Sequence, residues 1–166
     1  MTLVGYNNPI LKQKSEDWIF DQDNINYDSD PEQLEQTMIT VMQTNSGQGL
    51  AANQIGLLKR VFVIQLENRV PFAMFNPQLV KQSDEQQIGT EGCLSFPNLF
   101  LDVSRSKSID IQYFNSKGEV KTDQLSDNDA RCFLHELDHI NGICFTDRIS
   151  KLKLSMARKK QRKLHG

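Results

Sequence analysis

The pentapeptide HELDH at residues 135–139 constrains this chain more than any other feature. Residues four apart on a helix lie one above the other on a single face. His135 and His139 can therefore grip one cation, and Glu136 can reach a water bound to it. Two histidines do not complete such a site. A catalytic metal centre of this kind takes three protein ligands and keeps a further position open. The chain must fold so that some other segment delivers a ligand to this helix.

The sequence narrows the search for that ligand. The pattern H-E-x-x-H-x-x-G-x-x-H would require histidine at 145, where the chain has Phe145. A His₂Glu centre would require a glutamate downstream, and none follows Glu136. Asp147 falls among residues that read as structural, and His165 stands one residue from the end. Three cysteines remain. Cys132 shares the helical face, but a metal between the histidines would sit roughly 7–8 Å further along the axis. That is too far for a Zn–S bond of about 2.3 Å. Cys144 stays open geometrically, although GICF at 142–145 reads as the start of a buried strand. Cys93, in TEGCLSFP at 90–97, lies in an exposed segment shaped by glycine and proline, and position favours it. With an odd cysteine count and no paired spacing, the cysteines read as free thiols of a reducing compartment.

The elements around the motif predict the architecture. Asp30 is the expected N-cap of a first helix, with Pro31 in its first turn, Leu34, Met38, Val41 and Met42 on one face, and Gly47 as its stop. Segments 60–66, 71–77, 108–114 and 119–125 read as strands, the last two joined by the turn NSKG. Ser126 and Asp129 form a predicted capping box for the helix that runs through HELDH, and Asn141-Gly142 ends it. A third helix is expected at about 150–164. The prediction is an α+β fold, with largely antiparallel sheets packed around a central helix that carries H-E-x-x-H. With 166 residues the chain suits one domain spanning 1–166.

Three ordered motifs make the chain similar to the peptide deformylase family: GQGLAANQ at 47–54, EGCLS at 91–95 and HELDH at 135–139. NPIL near the start, Asn76-Pro77, VSR at 103–105 and DRIS at 147–150 extend the resemblance over nearly the whole chain. One departure is Leu134, where the family often has glutamine before the first histidine.

The resemblance implies a metal-dependent hydrolase that removes the N-formyl group from the formyl-methionine of nascent polypeptides and releases formate. It implies Cys93, His135 and His139 as ligands of one divalent metal, Fe²⁺ in cells, with Ni²⁺, Co²⁺ or Zn²⁺ able to replace it. Glu136 is then the general base and acid, and the Gln54 side-chain amide and Leu94 N–H face the oxyanion. Gly47, Gly49 and Gly92 would admit a peptide laid along an edge. The methionine pocket is expected near Gln48, Cys132 and His135. Arg131 is expected either at its mouth or as a solvated surface charge.

Charge is unevenly spread. Residues 148–166 hold eight Lys+Arg and no acidic residue, leaving 11 Lys+Arg against 21 Asp+Glu in the rest, a net of −10. The tail reads either as a solvated helix or as a contact for ribosomal RNA. No apolar run approaches the roughly 20 residues that cross a bilayer. The N-terminus lacks the marks of a secretory signal. A cytoplasmic monomer is expected. The rival readings are a peptidase that cuts inside chains and an inactive peptide-binding relative. Cys93 as ligand, with no downstream glutamate or histidine in register, argues against the first, and the intact Glu136, Gln54 and Cys93 argue against the second.

Overall fold

The computed structural model describes residues 2–20 and 30–165. Helix α1, Pro31–Thr44, begins as the sequence predicts: the Asp30 side chain accepts a hydrogen bond from the Glu32 N–H at 3.3 Å, and Pro31 stands in the first turn. Leu34, Met38, Ile39 and Met42 form its buried face. The stop lies earlier than Gly47. Ser46 takes the left-handed conformation at φ 56°, and the N–H groups of Ser46 and Gly47 return to the carbonyls of Gln43 and Met42, each at 2.9 Å. Gly47 is needed for space instead, because a Cβ there would stand 2.8 Å from Leu94 Cδ1.

Five strands form one antiparallel sheet in the order β1-β2-β3-β6-β7: Gly49–Ala51, Val61–Ile64, Phe72–Gln82, Ser108–Phe114 and Val120–Ser126. The strand predicted at 71–77 is the central one, β3, and it continues to Gln82 through two register shifts. β2 is buried on both faces, and its alternation explains why. Val61 and Val63 pack with α1, whereas Phe62 and Ile64 pack with the helix α2, Asp127–Ile140. Phe62 meets Phe133 of α2 edge-on with ring centroids 5.5 Å apart. Leu134 joins the same apolar cluster, so replacing the family's usual glutamine there changes packing and leaves the motif face unaltered. The HELDH helix is thus central, as the fold class requires.

The remaining strands, β4 (Gln86–Cys93) and β5 (Phe96–Ser106), form a separate two-stranded hairpin. Periodicity did not reveal it, and the sequence reading left this stretch an exposed segment. Its inner side chains Phe96, Leu99, Leu101 and Val103 build a third apolar cluster with Leu11, Cys144 and Phe145. Leu154 and Ala157 of helix α3, Lys151–His165, pack on that cluster. Two local expectations fail. GICF leads into a 3-10 turn at Phe145–Arg148, not a strand. The Ser126–Asp129 capping box does not form, because Asp129 accepts the Glu67 N–H at 3.1 Å instead.

Gly142 closes α2 in the left-handed region at φ 75°, and a Cβ there would lie 2.7 Å from the Lys12 carbonyl oxygen. Gly142→Ala should therefore destabilise the fold by roughly 1–3 kcal/mol. A thermal melt should show a fall of about 2–4 °C for each kcal/mol lost.

Candidate active site

The face of α2 that carries His135 and His139 turns towards the tip of the hairpin. Cys93 sits there, where the ladder shifts register between the Glu91–Leu101 and Cys93–Phe96 pairs. Cys93 Sγ lies 3.2 Å from His139 Nε2, and the imidazole centroids are 5.0 Å apart. One donor atom from each of Cys93, His135 and His139 falls within 4.8 Å of the others. The structure thus brings the mid-chain cysteine to the two histidines. It carries the alternatives elsewhere. Cys144 is buried in the hairpin cluster with Sγ 3.8 Å from the Leu11 carbonyl, and burial pushes its thiol up to about 11. Cys132 faces the Gln48 carbonyl at 3.5 Å. Asp147 accepts from Lys12 Nζ and from the Cys144 N–H at 2.8 Å. The side chain of His165 lies outside the described residues.

The donor set suits a divalent cation. A thiolate and two imidazoles is the mixed soft and borderline set that such ions take. His135 Nδ1 donates to Glu91 Oε2 at 2.9 Å, which turns its Nε2 inward. Desolvation works to lower the His135 pKa, but hydrogen bonds to Cys93 and Glu91 outweigh it and hold it up to about 10. A bound cation would take that proton's place. Burial drives His139 well below the usual histidine range, which keeps it the neutral ligand form. Its backbone carbonyl accepts from Asn53 Nδ2 at 2.6 Å, fixing this end of the helix to the GQGLAANQ segment.

Glu136 is buried beside the three donors. Desolvation raises its pKa to about 7 against the opposing field of His135, and its Oε2 has no hydrogen-bond partner among the described residues. Gly49 is what admits it, since a Cβ there would lie 2.8 Å from Glu136 Cγ and closer still to Oε1. Gln54 Oε1 accepts from the Ala51 N–H at 2.9 Å, which points Nε2 at Cys93 Sγ (3.4 Å) and Ser95 Oγ (3.2 Å). Gly47, Gly49, Gln54, Gly92, Cys93, Leu94, His135 and Glu136 all line one cleft of about 450 Å³. A smaller recess of about 70 Å³ adjoins it, walled by Gly92, Arg131, Cys132, His135 and Glu136. The sequence reading missed Asn45, Ser46, Asn98 and Phe100, which also border the cleft. Phe100 lies against Gly92, 2.9 Å from where a Cβ would be. These residues occupy loops and an unrecognised hairpin, so no periodicity marked them.

Arg131 is not a solvated charge. It is 6% exposed, and its guanidinium turns away from the cleft to bond the hairpin. There it shares Glu91 with Arg105, whose Nε and Nη2 donate to the two Glu91 oxygens at 2.8 and 2.9 Å. Burial opposes the Glu91 charge, yet the hydrogen bonds from Arg105 and His135 lower its pKa to about 2. Arg105 and Arg148 both donate to Asp138, the acid inside HELDH.

Comparison with known proteins follows the same geometry. The family model described as polypeptide deformylase matches residues 1–155. A peptide deformylase of Thermotoga petrophila is 38% identical over 155 residues, covering 93% of this chain and 90% of that protein. The crystal structure of the Thermotoga maritima peptide deformylase superposes with a TM-score of 0.81 at 35% identity, covering 90% of this chain and 97% of that one. A Synechococcus elongatus peptide deformylase in complex with actinonin gives 0.84 at 30% identity, covering 96% and 85%. With the motifs, the fold and the site in agreement, the chain belongs to the polypeptide deformylase family, metal-dependent hydrolases that deformylate nascent polypeptides.

Proposed function

We propose that Cys93, His135 and His139 hold one divalent metal and that Glu136 moves the proton during deformylation of N-formyl-methionyl peptides. The observation that carries this reading is the convergence of the three donor atoms within 4.8 Å beside a buried carboxyl with a free oxygen. When bound, such a cation polarises the formyl carbonyl and makes water a nucleophile near neutral pH. The chain's own groups do the rest. Glu136 Oε2 accepts the proton of the attacking water and later delivers it to the leaving amine. Gln54 Nε2, oriented by its bond from Ala51, and the Leu94 N–H donate to the developing oxyanion.

The substrate backbone enters along Gly47, Gly49 and Gly92, whose missing side chains leave the cleft open. Its methionine fills the recess formed by Cys132, His135 and the Arg131 side chain, floored by the Gln48 carbonyl. Iron(II) is the cation assigned in cells. Nickel, cobalt and zinc fit the same thiolate and imidazole donors. The enzyme acts as a cytoplasmic monomer. No helix of the described residues is long and apolar enough to cross a membrane. Helix α3 holds Leu154 and Ala157 against the hairpin and leaves Lys151, Lys153, Arg158, Lys159, Lys160, Arg162 and Lys163 exposed. That arrangement suits contact with ribosomal RNA where nascent chains emerge.

Four measurements test these assignments. The wild-type enzyme should release formate from formyl-Met-Ala-Ser, with no turnover of the acetylated peptide and no internal cleavage. Glu136→Gln should lower kcat by about 10²–10⁴-fold. Internal cleavage would mark a different peptidase. Enzyme loaded with iron should lose activity in air, where iron beside a thiolate is open to oxidation, while nickel-loaded enzyme keeps it. Replacing Lys159, Lys160 and Lys163 together by glutamine should abolish co-sedimentation with ribosomes at low salt and leave kcat unchanged. Undiminished sedimentation would reduce α3 to a solvated helix.

A further inference from the structure

Arg131 stands one turn before His135 on α2, and its bonds reach both strands of the hairpin. Nη1 donates to Glu91 Oε1 at 2.9 Å and to the Val103 carbonyl at 2.8 Å, with the Gly89 carbonyl at 3.2 Å sharing a hydrogen. Nη2 donates to the Gln87 carbonyl at 2.8 Å. Gly89 and Val103 face each other across the β4–β5 ladder, so one planar cation spans the hairpin. Gly89 makes this contact possible. A Cβ there would stand 2.8 Å from both Cζ and Nε of Arg131. The guanidinium ends a flexible side chain, but its N–H groups are committed to four acceptors, and any retreat breaks them.

Strand alternation ties this contact to the metal centre. Gly89, Glu91 and Cys93 lie two apart and share the face of β4 that meets α2. Glu91 takes Arg131 on one oxygen and His135 Nδ1 on the other. The ladder shifts register between Glu91 and Cys93, so strand pairing alone does not fix the tip that carries the thiol. From the helix side Glu91 is held by both His135 and Arg131, and Arg131 adds bonds to the backbone of both hairpin strands.

We propose that Arg131, seated on Gly89, is a positioning residue that sets the separation between the Cys93 thiolate and the imidazoles of His135 and His139, and so controls how tightly the metal is held. This rests on those three residues being the ligands. Lysine cannot replace the fork, since a single nitrogen with three hydrogens does not match four acceptors shared between two nitrogens. Loss of a group that orients a ligand typically costs 10–100-fold in metal affinity.

The test uses the full chain carrying Co²⁺, with cobalt loss to excess chelator followed in time. The thiolate-to-cobalt absorption band is recorded in parallel, and kcat and KM are measured on formyl-Met-Ala-Ser. Arg131→Lys and Gly89→Ala should each release cobalt at least about tenfold faster, with a shifted or weakened band. Wild-type release and an unchanged band in both variants would overturn the proposal, even if both melt earlier. A raised KM with unchanged cobalt release would return Arg131 to substrate binding. Cys93→Ala, run alongside, should lose the band; if it kept cobalt at the wild-type rate, the ligand assignment itself would fall.

Discussion

A single buried carboxylate, Glu91, joins the two halves of the site. It is 5% exposed, sits in the hairpin, and accepts from Arg105, Arg131 and His135. An isolated charge in that position would cost several kcal/mol in lost hydration. Two guanidinium groups and an imidazole N–H offset the cost, each in a short directed bond. The consequence is mechanical as well as electrostatic. The hairpin does not belong to the five-stranded sheet, so its placement against α2 depends on apolar packing and on this anion. Removing Glu91 would leave the Arg105 and Arg131 guanidinium groups buried without the anion they share, which is more damaging than the loss of an exposed ion pair.

The glycines near the site follow from the same demand for close approach. Gly49 makes room for Glu136, Gly89 for Arg131 and Gly92 for Phe100. In each case the obstacle to a Cβ is a side chain and not backbone. The backbone there needs no unusual φ. Only Gly142, at the far end of α2, is required for its conformation as well as for space.

Much of this was legible in the sequence because its cause is local. Residues four apart on a helix place His135 and His139 on one face, and Asp30 with Pro31 marks where α1 begins. The alternation of Ile109, Ile111 and Tyr113 fixes β6. What stayed hidden depends on distant partners. β4 carries Gln86, Gln87, Thr90 and three further polar or glycine positions, and its strand character arises only once β5 and α2 lie against it. Asp129 had the spacing of a cap, but the Glu67 N–H competes for it from another loop. Arg131 on a helix surface reads as solvated until the hairpin folds over it.

The aspartate of HELDH shows how one short motif serves two ends. Asp138 follows His135 by three residues, so it sits on the flank of the same helical face, turned from the cleft. It takes no part in the donor cluster. It accepts from Arg105, which also holds Glu91, and from Arg148 in the 3-10 turn after α2. Arg148 lies three residues before the start of α3, and α3 packs back on β5. The chain of bonds therefore runs from Glu91 through Arg105 and Asp138 to Arg148, and from there along the backbone to the C-terminal helix. A glutamate at 138 would extend the carboxylate by one methylene into guanidinium groups already in contact with it. An asparagine would leave the buried Arg105 and the exposed Arg148 facing a neutral amide. The spacing that aligns the two imidazoles thus also dictates which residue must lie between them.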